Sequence, residues 1–403
     1  MRTWCATMLA AAASAQAPAP PANEALEQRV DRIEKEVQRL RLQADDGEDA
    51  PALAAAPAPS PNVLNPTLTV VGNGLYRWDD RVVLSEDGRR IDKRFWIREA
   101  ELDMRAAVDP FADGVVIVAL EAESPAEYGV DLEEAYVTVK SLPLPVLERP
   151  PLGLKLRAGR FLTETGNVNR LHTHDLPWPY RPLVVEEFLG EEGYHGDGAS
   201  AQVFLPSFDA DSAIELTAQI LTGGGSRITE NGTNSPGIVA NLRWFRAFAG
   251  AHQVMLAYIF HEGTTVAGGS QRAFVGSVDG FYRYRPLRGG ESRSFVMGGQ
   301  FFLARLGEQA DVPRGWFAFA QVQPWRPIYL GGRYDDTETL DASARRRSAS
   351  GYLSGYFSEF FRLRGGYEHR FGDAVGEDGR DSVYVDLSFV IGAHPPEPFW
   401  VNK

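Results

Sequence analysis

The chain has 403 residues, a hydrophobic content of 44% and a net charge of −13. It contains no run of about 18 apolar residues, which excludes a membrane protein built from transmembrane helices. The acidic balance argues against nucleic acid as a partner, because nucleic-acid-binding proteins are usually basic. Its one cysteine, Cys5, lies within a predicted signal peptide, so the mature chain is expected to have no disulfide and no thiolate metal site.

Residues 1–17 predict a secretory signal peptide. They contain one arginine, a short alanine-rich run and small residues around Ala13, which favours cleavage after Ala15 or Ala17. A disordered Ala/Pro leader is the alternative interpretation.

Residues 24–43 predict a short coiled-coil helix. Their apolar positions are spaced by four and three residues in turn, at Leu26, Val30, Ile33, Val37 and Leu40. The seam is too short to associate alone, so we expect it to act within a larger assembly. A single amphipathic helix is the alternative. Residues 44–62, rich in Ala, Pro and acidic residues, predict a disordered linker.

Residues 63–403 predict a barrel of antiparallel strands. Apolar and polar residues alternate in segments separated by connections that are short and long in turn, which is typical of an up-and-down barrel of the outer-membrane type. The predicted strands number 16, an even number as such barrels require. They are placed at 67–78, 94–109, 113–124, 130–141, 152–163, 196–206, 211–222, 236–249, 252–262, 271–287, 292–306, 314–325, 327–336, 346–358, 361–371 and 381–393.

The last strand shows the alternation most clearly. Val383, Val385, Leu387 and Phe389 form one row and are expected to face lipid. Asp386 belongs to the other row and is expected in a wet lumen. The fold class predicted from the sequence is therefore all-β: a 16-stranded antiparallel transmembrane β-barrel behind a short N-terminal coiled-coil helix.

Several stretches resemble outer-membrane porins related to the phosphate-selective porin O/P family, in particular a branch sometimes labelled zinc-regulated outer-membrane receptors. The most specific is AGRFLTETGNVNRLHTHDLPWPYRPLVVEEFLGEEG at 158–193. The others are REAELDMRAAVDPFAD (98–113), DLEEAYVTV (131–139), FYRYRPL (281–287), FVIGAHPPEPF (389–399) and Asn65-Pro66. The resemblance implies a 16-stranded barrel, commonly trimeric, in the bacterial outer membrane with lipopolysaccharide and lipid around it. No segment predicts a plug domain, so a plugged receptor is not expected.

The resemblance also implies that the third long connection, 164–195, folds inward and constricts the pore. Its charged residues include six acids and two arginines and no lysine, unlike the lysine-lined constrictions of phosphate-selective porins. They are Glu164, Arg170, Asp175, Arg181, Glu186, Glu187, Glu191 and Glu192. Because the arginines of the barrel wall are expected to lie far from this constriction, we predict a weak preference for cations.

Charged residues on the strands predict an acidic wall and a basic wall that together set up a transverse field. Pairing of these charges across strands is the alternative. The pore-lining set comprises Glu99, Glu101, Asp103, Glu121, Glu123, Glu134, Lys155, Arg157, Arg333, Arg362, Arg364 and Asp386.

A second candidate site is a metal cluster of His172, His174 and Asp175, with His195 as a further ligand. Imidazole and carboxylate groups suit zinc or another divalent cation, but three or four ligands are needed and the spacing fixes only these. No other cofactor is expected. The sequence has no nucleophile elbow, P-loop, zinc-protease or dinucleotide motif, so catalytic residues are not expected either.

The sequence thus predicts a porin-like outer-membrane channel, a homotrimer, for passive diffusion of small hydrophilic solutes or ions. Two alternatives remain open. One is an outer-membrane protein that binds or takes up zinc through its third extracellular loop, and the other is a barrel that only anchors the coiled coil.

Overall fold

The computed structural model of the chain describes residues 66–85, 88–125, 127–144, 147–222, 226–228, 236–265, 271–286, 293–374, 379–393 and 398–401. At residues 123, 127 and 265 it describes the backbone and not the side chain. The predicted signal peptide, coiled-coil helix and linker lie outside these residues.

Sixteen antiparallel strands form the fold, and every strand predicted from the sequence is present with ends that differ by at most three residues. They are β1 (Thr67–Asp79), β2 (Arg94–Asp109), β3 (Ala112–Ser124), β4 (Glu127–Val139), β5 (Lys155–Leu162), β6 (His195–Leu205), β7 (Ser212–Leu221), β8 (Gly237–Phe248), β9 (His252–Thr265), β10 (Gln271–Tyr284), β11 (Ser294–Leu306), β12 (Arg314–Trp325), β13 (Ile328–Glu338), β14 (Arg345–Ser358), β15 (Phe361–Gly372) and β16 (Arg380–Gly392).

Each strand pairs with its neighbours in the chain, and β1 pairs with β16 to close the barrel. Closure leaves no edge strand, since every strand has a hydrogen-bonded partner on each side. In the closing seam Val70 lies opposite Ile391 and Tyr76 opposite Val385. Antiparallel pairing between sequence neighbours follows from short turns, which return the chain beside the strand it has just left.

Side chains alternate between the outer and inner faces as the sequence predicts. On β16, Val383 and Val385 are exposed on the outside, whereas Ser382, Tyr384 and Asp386 are buried inside. The expected facing of the last strand is therefore confirmed. The expectation of a wet environment for Asp386 is wrong, because its side chain is fully buried against Arg364.

Apolar residues also line part of the interior, which the expectation of a polar lumen did not include. The inner faces of β9 to β12 present buried residues such as Met255, Val275, Phe302 and Phe317. They belong to one hydrophobic core with the long connection between β5 and β6. The wall is thus apolar on one side of the barrel and charged on the other.

Among the residues that the structure describes, helical structure occurs only in the connections. One α-helix, α1 (Leu183–Leu189), and a 3-10 turn (Thr173–Asp175) lie between β5 and β6, and a further 3-10 turn (Pro151–Gly153) precedes β5. Within the described part of the chain, none of the helices has the length and apolar character needed to cross a membrane.

We expect Asp386→Ala to destabilise the barrel by about 3–5 kcal/mol, because the substitution leaves buried arginines without their counter-charge. The carboxylate lies 3.0 Å from Nη2 of Arg364 and 3.5 Å from Nη2 of Arg362, and it also accepts a hydrogen bond from Asn73. The measurement is urea unfolding in detergent micelles followed by tryptophan fluorescence.

The matched control is Asp381→Ala on the same strand. The Asp381 side chain is 39% exposed and pairs with His369, so its loss is expected to cost less than about 1 kcal/mol. Equal losses for the two variants would contradict a structural role for the buried ion pair.

Candidate functional site

The connection between β5 and β6, residues 163–194, lies inside the barrel. Tyr180 accepts a hydrogen bond from Arg77 of β1, and the Leu176 carbonyl accepts one from Arg364 of β15. On the opposite side, Asn167 donates to Asp279 of β10. A segment that contacts strands all round a closed barrel can only pass through its interior. These contacts agree with the inward folding that the porin resemblance implies, and constriction of a pore by this loop stays a prediction.

Polar side chains of the wall hold the first part of this interior loop. Gln219 of β7 accepts a hydrogen bond of 2.9 Å from the Glu164 N–H, and Gln300 of β11 donates one of 2.7 Å to the Thr165 carbonyl. Asp279 accepts from the Asn167 backbone N–H at 2.7 Å. These bonds replace the strand pairing that an irregular backbone lacks, which allows the loop to be buried without unsatisfied backbone groups.

Apolar side chains hold the second part. Trp178 is 1% exposed, with its ring 4.9 Å from that of Phe319 and the Arg333 guanidinium 4.9 Å above it. All residues of α1 are buried. Because this face of the loop packs on the apolar wall of β8 to β14, its opposite face is directed to the charged wall.

Residues 398–401 also enter the interior. Trp400 is 1% exposed, donates a 3.0 Å hydrogen bond to the Asp175 carbonyl and accepts one from Gln321 at 2.7 Å. Phe399 stacks on Phe281 with ring centroids 4.1 Å apart. The sequence did not predict this contact, since these residues follow the last strand and carry no periodic pattern.

A polar cavity of about 290 Å³ remains between the loop and the charged wall. Six arginines and five glutamates line it together with Trp96, Thr173 and Tyr180. The charged residues are Arg77, Arg98, Arg181, Arg346, Arg370, Arg380, Glu99, Glu121, Glu186, Glu191 and Glu192. A small polar solute could enter this cavity.

Three of the eight predicted constriction charges pair with arginines of the barrel wall. Glu164 lies 3.0 Å from Arg243 and 3.2 Å from Arg170, and Glu187 lies 3.0 Å from Arg346. Glu186 is 3.7 Å from Arg346. The expectation that wall arginines lie too far from the loop to influence it is therefore wrong, and with it the argument for cation preference.

Arg181, Glu191 and Glu192 differ in their surroundings. Arg181 is buried and donates to the carbonyls of Val168 and Leu171, so it fixes the loop backbone. Glu191 and Glu192 are exposed to the cavity, and Glu192 accepts a hydrogen bond from Thr173 at 3.0 Å.

The predicted basic wall consists largely of ion pairs. Arg333 lies 2.7 Å from Asp335 and 3.5 Å from Glu368, while Arg362 and Arg364 share Asp386. Cross-strand pairing, the alternative to a transverse field, accounts for these three arginines.

The remaining predicted lining residues are more scattered. Asp103 pairs with Arg105 at 2.8 Å, and Arg157 lies 4.3 Å above the Tyr136 ring. Lys155 is exposed at the start of β5. Glu123 lies on β3, and its side chain is outside the described atoms.

The predicted metal ligands His172 and His174 come together with glutamates of β2 and β4. Nδ1 of His174 is 3.0 Å from Glu99, and Nδ1 of His172 is 2.6 Å from Glu133. An oxygen of Glu101 lies 3.6 Å from each of these two nitrogens. The two imidazole rings are stacked 5.8 Å apart.

Asp175 does not belong to this group. Its carboxylate is 3.7 Å from Nε2 of His174, the nitrogen that faces away from the glutamates, and its side chain is 29% exposed. His195 is buried at the start of β6 and takes part in none of the three groupings of potential ligands in the described part of the chain. The structure therefore does not bring Asp175 and His195 into these groups, and the barrel wall supplies their carboxylates.

The sequence also missed Glu133 and Arg98. The register of β3 and β4 skips from Glu134 to Leu132, and that of β1 and β2 skips from Glu99 to Ile97. Each extra residue is a β-bulge, which places two consecutive side chains on one face. Adjacent charged residues within a strand, as in Glu133-Glu134 and Arg98-Glu99, are the signal that could have revealed these bulges.

Opposing influences set the charge of the interior loop. Burial disfavours the imidazolium, but Glu133 and Glu101 outweigh it and raise the pKa of His172 well above its usual value. Burial likewise opposes protonation of His174, yet Glu99, Asp175 and Glu101 raise its pKa to about 10. Burial works against ionisation of Glu164, whereas Arg170 and Arg243 lower the pKa of its carboxyl.

Comparison with known proteins supports the fold. No protein-family model matches the chain. A stretch of 108 residues is 35% identical to an uncharacterized protein of Aquifex aeolicus (strain VF5), covering 26% of this chain and only 20% of that relative's length.

Solved structures of similar fold are outer-membrane porins and channels. The anion-selective porin from Comamonas acidovorans matches with a TM-score of 0.53 at 9% identity over 81% of this chain and 99% of that one. OmpT of Vibrio cholerae matches with a TM-score of 0.51 at 10% identity over 83% of this chain and 100% of that one. The trimer form of OmpT matches with a TM-score of 0.50 at 10% identity over 81% of this chain and 100% of that one. The outer-membrane channel DcaP of Acinetobacter baumannii matches with a TM-score of 0.50 at 11% identity over 81% of this chain and 96% of that one. At these identities the likeness establishes the barrel fold, and membership of the phosphate-selective branch stays a prediction.

We expect chymotrypsin to spare the bond after Phe188 in the folded protein and to cut after Phe208. Phe188 is fully buried in α1, whereas Phe208 lies in the turn between β6 and β7 and is 87% exposed. The measurement is limited proteolysis in detergent micelles with mass spectrometry of the fragments. Heat-unfolded protein, cut at both bonds, is the control; early cleavage after Phe188 would contradict an interior position for the loop.

Proposed function

We propose that the chain is a porin-like channel of the bacterial outer membrane that passes small hydrophilic solutes or ions by diffusion. The polar cavity between the interior loop and the charged wall carries this proposal, since it offers hydrated, charged surface inside a closed barrel. The similarity of the fold to outer-membrane porins and channels supports it. The proposal assigns no catalytic activity to the chain.

The outer surface of the barrel supports placement in a membrane. Exposed apolar side chains recur on the outer faces of successive strands, for example Leu256 on β9, Val278 on β10 and Leu303 on β11. Such a band of apolar residues around a barrel suits contact with lipid. Outer-membrane lipid and lipopolysaccharide are the surroundings that this proposal implies.

We further propose that permeation is governed by a mixed-charge surface without a marked preference for cations. Arginines from β1, β2, β14, β15 and β16 line the same cavity as the loop glutamates. A pore prefers cations when the positive charges of its lining are distant or screened. Here the arginines and the glutamates line the same cavity. Solutes that carry both donors and acceptors suit such a passage best.

A homotrimer is the assembly that we propose. The trimer form of a protein with a similar barrel supports it, and the predicted helix at 24–43 would add contacts between protomers. If the barrel served only to anchor that helix, the protein would not conduct.

We expect the full-length protein in planar lipid bilayers to produce discrete conductance steps in potassium chloride. Replacing residues 167–192 with a short Gly/Ser linker should increase the conductance of each step, because this segment fills the interior. The same linker in place of the connection 307–313, between β11 and β12, is the control and should leave conductance nearly unchanged. If the loop variant conducts and the wild-type protein shows no conductance, the native interior is sealed and the channel proposal fails.

Selectivity is tested by the reversal potential in a potassium chloride gradient. We expect nearly equal permeability to potassium and chloride in the wild type, and a shift toward chloride in the Glu191→Gln/Glu192→Gln variant because these carboxylates face the cavity. Glu262→Gln is the matched control, because Glu262 lies near the C-terminal end of β9 and pairs with Arg272. A wild-type pore that strongly prefers potassium would contradict the mixed-charge passage.

A further inference from the structure

The charged wall holds a compact cluster of carboxylates and imidazoles that the proposed channel does not require. Glu99 and Glu101 lie on β2, Glu133 is on the bulge of β4, and His172 and His174 reach them from the interior loop. Nδ1 of His174 with one oxygen each of Glu99 and Glu101 forms a group whose atoms all lie within 4.8 Å of one another. Nδ1 of His172 with Glu101 and Glu133 forms a second such group.

Glu101 is the common member of both groups, and one of its oxygens has no hydrogen bond. The residue is 3% exposed, and Oε2 is buried without a hydrogen-bond partner. This oxygen lies 3.6 Å from Nδ1 of each histidine. A buried carboxylate oxygen is rarely left without a hydrogen bond, because desolvation is costly, and the position of this oxygen between two imidazoles suits a bound cation.

The distances suit a divalent ion. Ligand atoms around a tetrahedral zinc ion with bonds of about 2.0–2.2 Å lie roughly 3.3–3.5 Å apart. The separations from His174 are 3.0 Å to Glu99 and 3.6 Å to Glu101, which bracket that value. From His172 they are 2.6 Å to Glu133 and 3.6 Å to Glu101, so the shorter contact has to open by roughly 0.7 Å or more to reach that range.

The charge of the cluster favours a cation as well. With Glu121 and Glu134, five carboxyl groups surround the two imidazoles, so the acidic groups of the cluster outnumber its imidazoles. The nearby Arg98 donates instead to the Pro179 carbonyl. Two imidazoles among carboxylates favour borderline metals such as zinc over magnesium or calcium, which prefer oxygen ligands alone.

We propose that Glu99, Glu101 and His174 form a binding site for a divalent transition-metal ion such as Zn²⁺, and that His172 and Glu133 form a second site that shares Glu101. Each ion ties the interior loop to the wall of β2 to β4, because the imidazoles come from the loop and the carboxylates from the strands. The sites do not depend on whether the barrel conducts.

Zinc binding is tested on the full-length protein in detergent after chelation and removal of the chelator. Isothermal titration with zinc chloride and elemental analysis after gel filtration should give one to two ions per chain. Glu101→Gln should weaken binding by more than about 100-fold, since it removes the shared ligand, and His172→Gln/His174→Gln should abolish it. Magnesium chloride should bind at least about 100-fold more weakly than zinc.

The matched control is His252→Gln/Glu262→Gln, which removes one imidazole and one carboxylate on β9 away from the cluster and should bind zinc as the wild type does. Heat-modifiable gel mobility reports folding of each variant. If a variant fails to fold, the absorption spectrum of the wild-type protein with Co²⁺ provides an independent readout. We expect this spectrum to show the bands of imidazole and carboxylate ligation. Absence of zinc binding above the level of the double histidine variant, or wild-type affinity in Glu101→Gln, would mean that the histidines serve only as ion-pair partners and would overturn the proposal.

Discussion

Sixteen strands enclose an interior wider than the side chains of their own wall can fill, and residues 163–194 occupy this space. Their packing imposes two requirements on the wall. Where α1 and Trp178 lie, the wall has to be apolar, as at Phe302 and Phe319; where the loop backbone turns without regular structure, the wall has to supply hydrogen bonds, as Gln219 and Asp279 do. The division of the interior into an apolar and a charged half is the result, and the polar cavity lies in the charged half.

The sequence predicted the strands well because their pattern is local. Alternation along β16 depends only on which residues are neighbours in the chain, and the outward row at Val383 and Val385 follows from it. The inward row of β12 was less predictable, since Phe317 and Phe319 face an apolar loop and not water. The alternation of apolar and polar residues along a strand predicts which side chains face the interior of the barrel. It does not predict whether water or an apolar loop occupies that interior.

The candidate site was predicted only in part, for reasons of register and distance. His172 and His174 could be chosen because they are two apart in an unusual loop, but their partners Glu99 and Glu101 are more than seventy residues away in the chain. Glu133 faces inward only because a bulge shifts it, and a bulge depends on pairing between strands. The pairing of Arg346 with Glu187 is of the same kind, since it joins β14 to the interior loop.

Glu99 and Glu121 connect the two proposals, because both line the polar cavity and both belong to groups of potential metal ligands. A divalent ion held by Glu99, Glu101 and His174 would withdraw a carboxylate from the surface that a solute meets, and would leave the cavity arginines less balanced. It would also fix the 3-10 turn at Thr173–Asp175, the part of the loop nearest the acidic wall. Metal occupancy would therefore change both the charge and the rigidity of the same passage, so conductance and reversal potential compared in zinc and in chelator report directly on whether the cluster and the cavity act on one path.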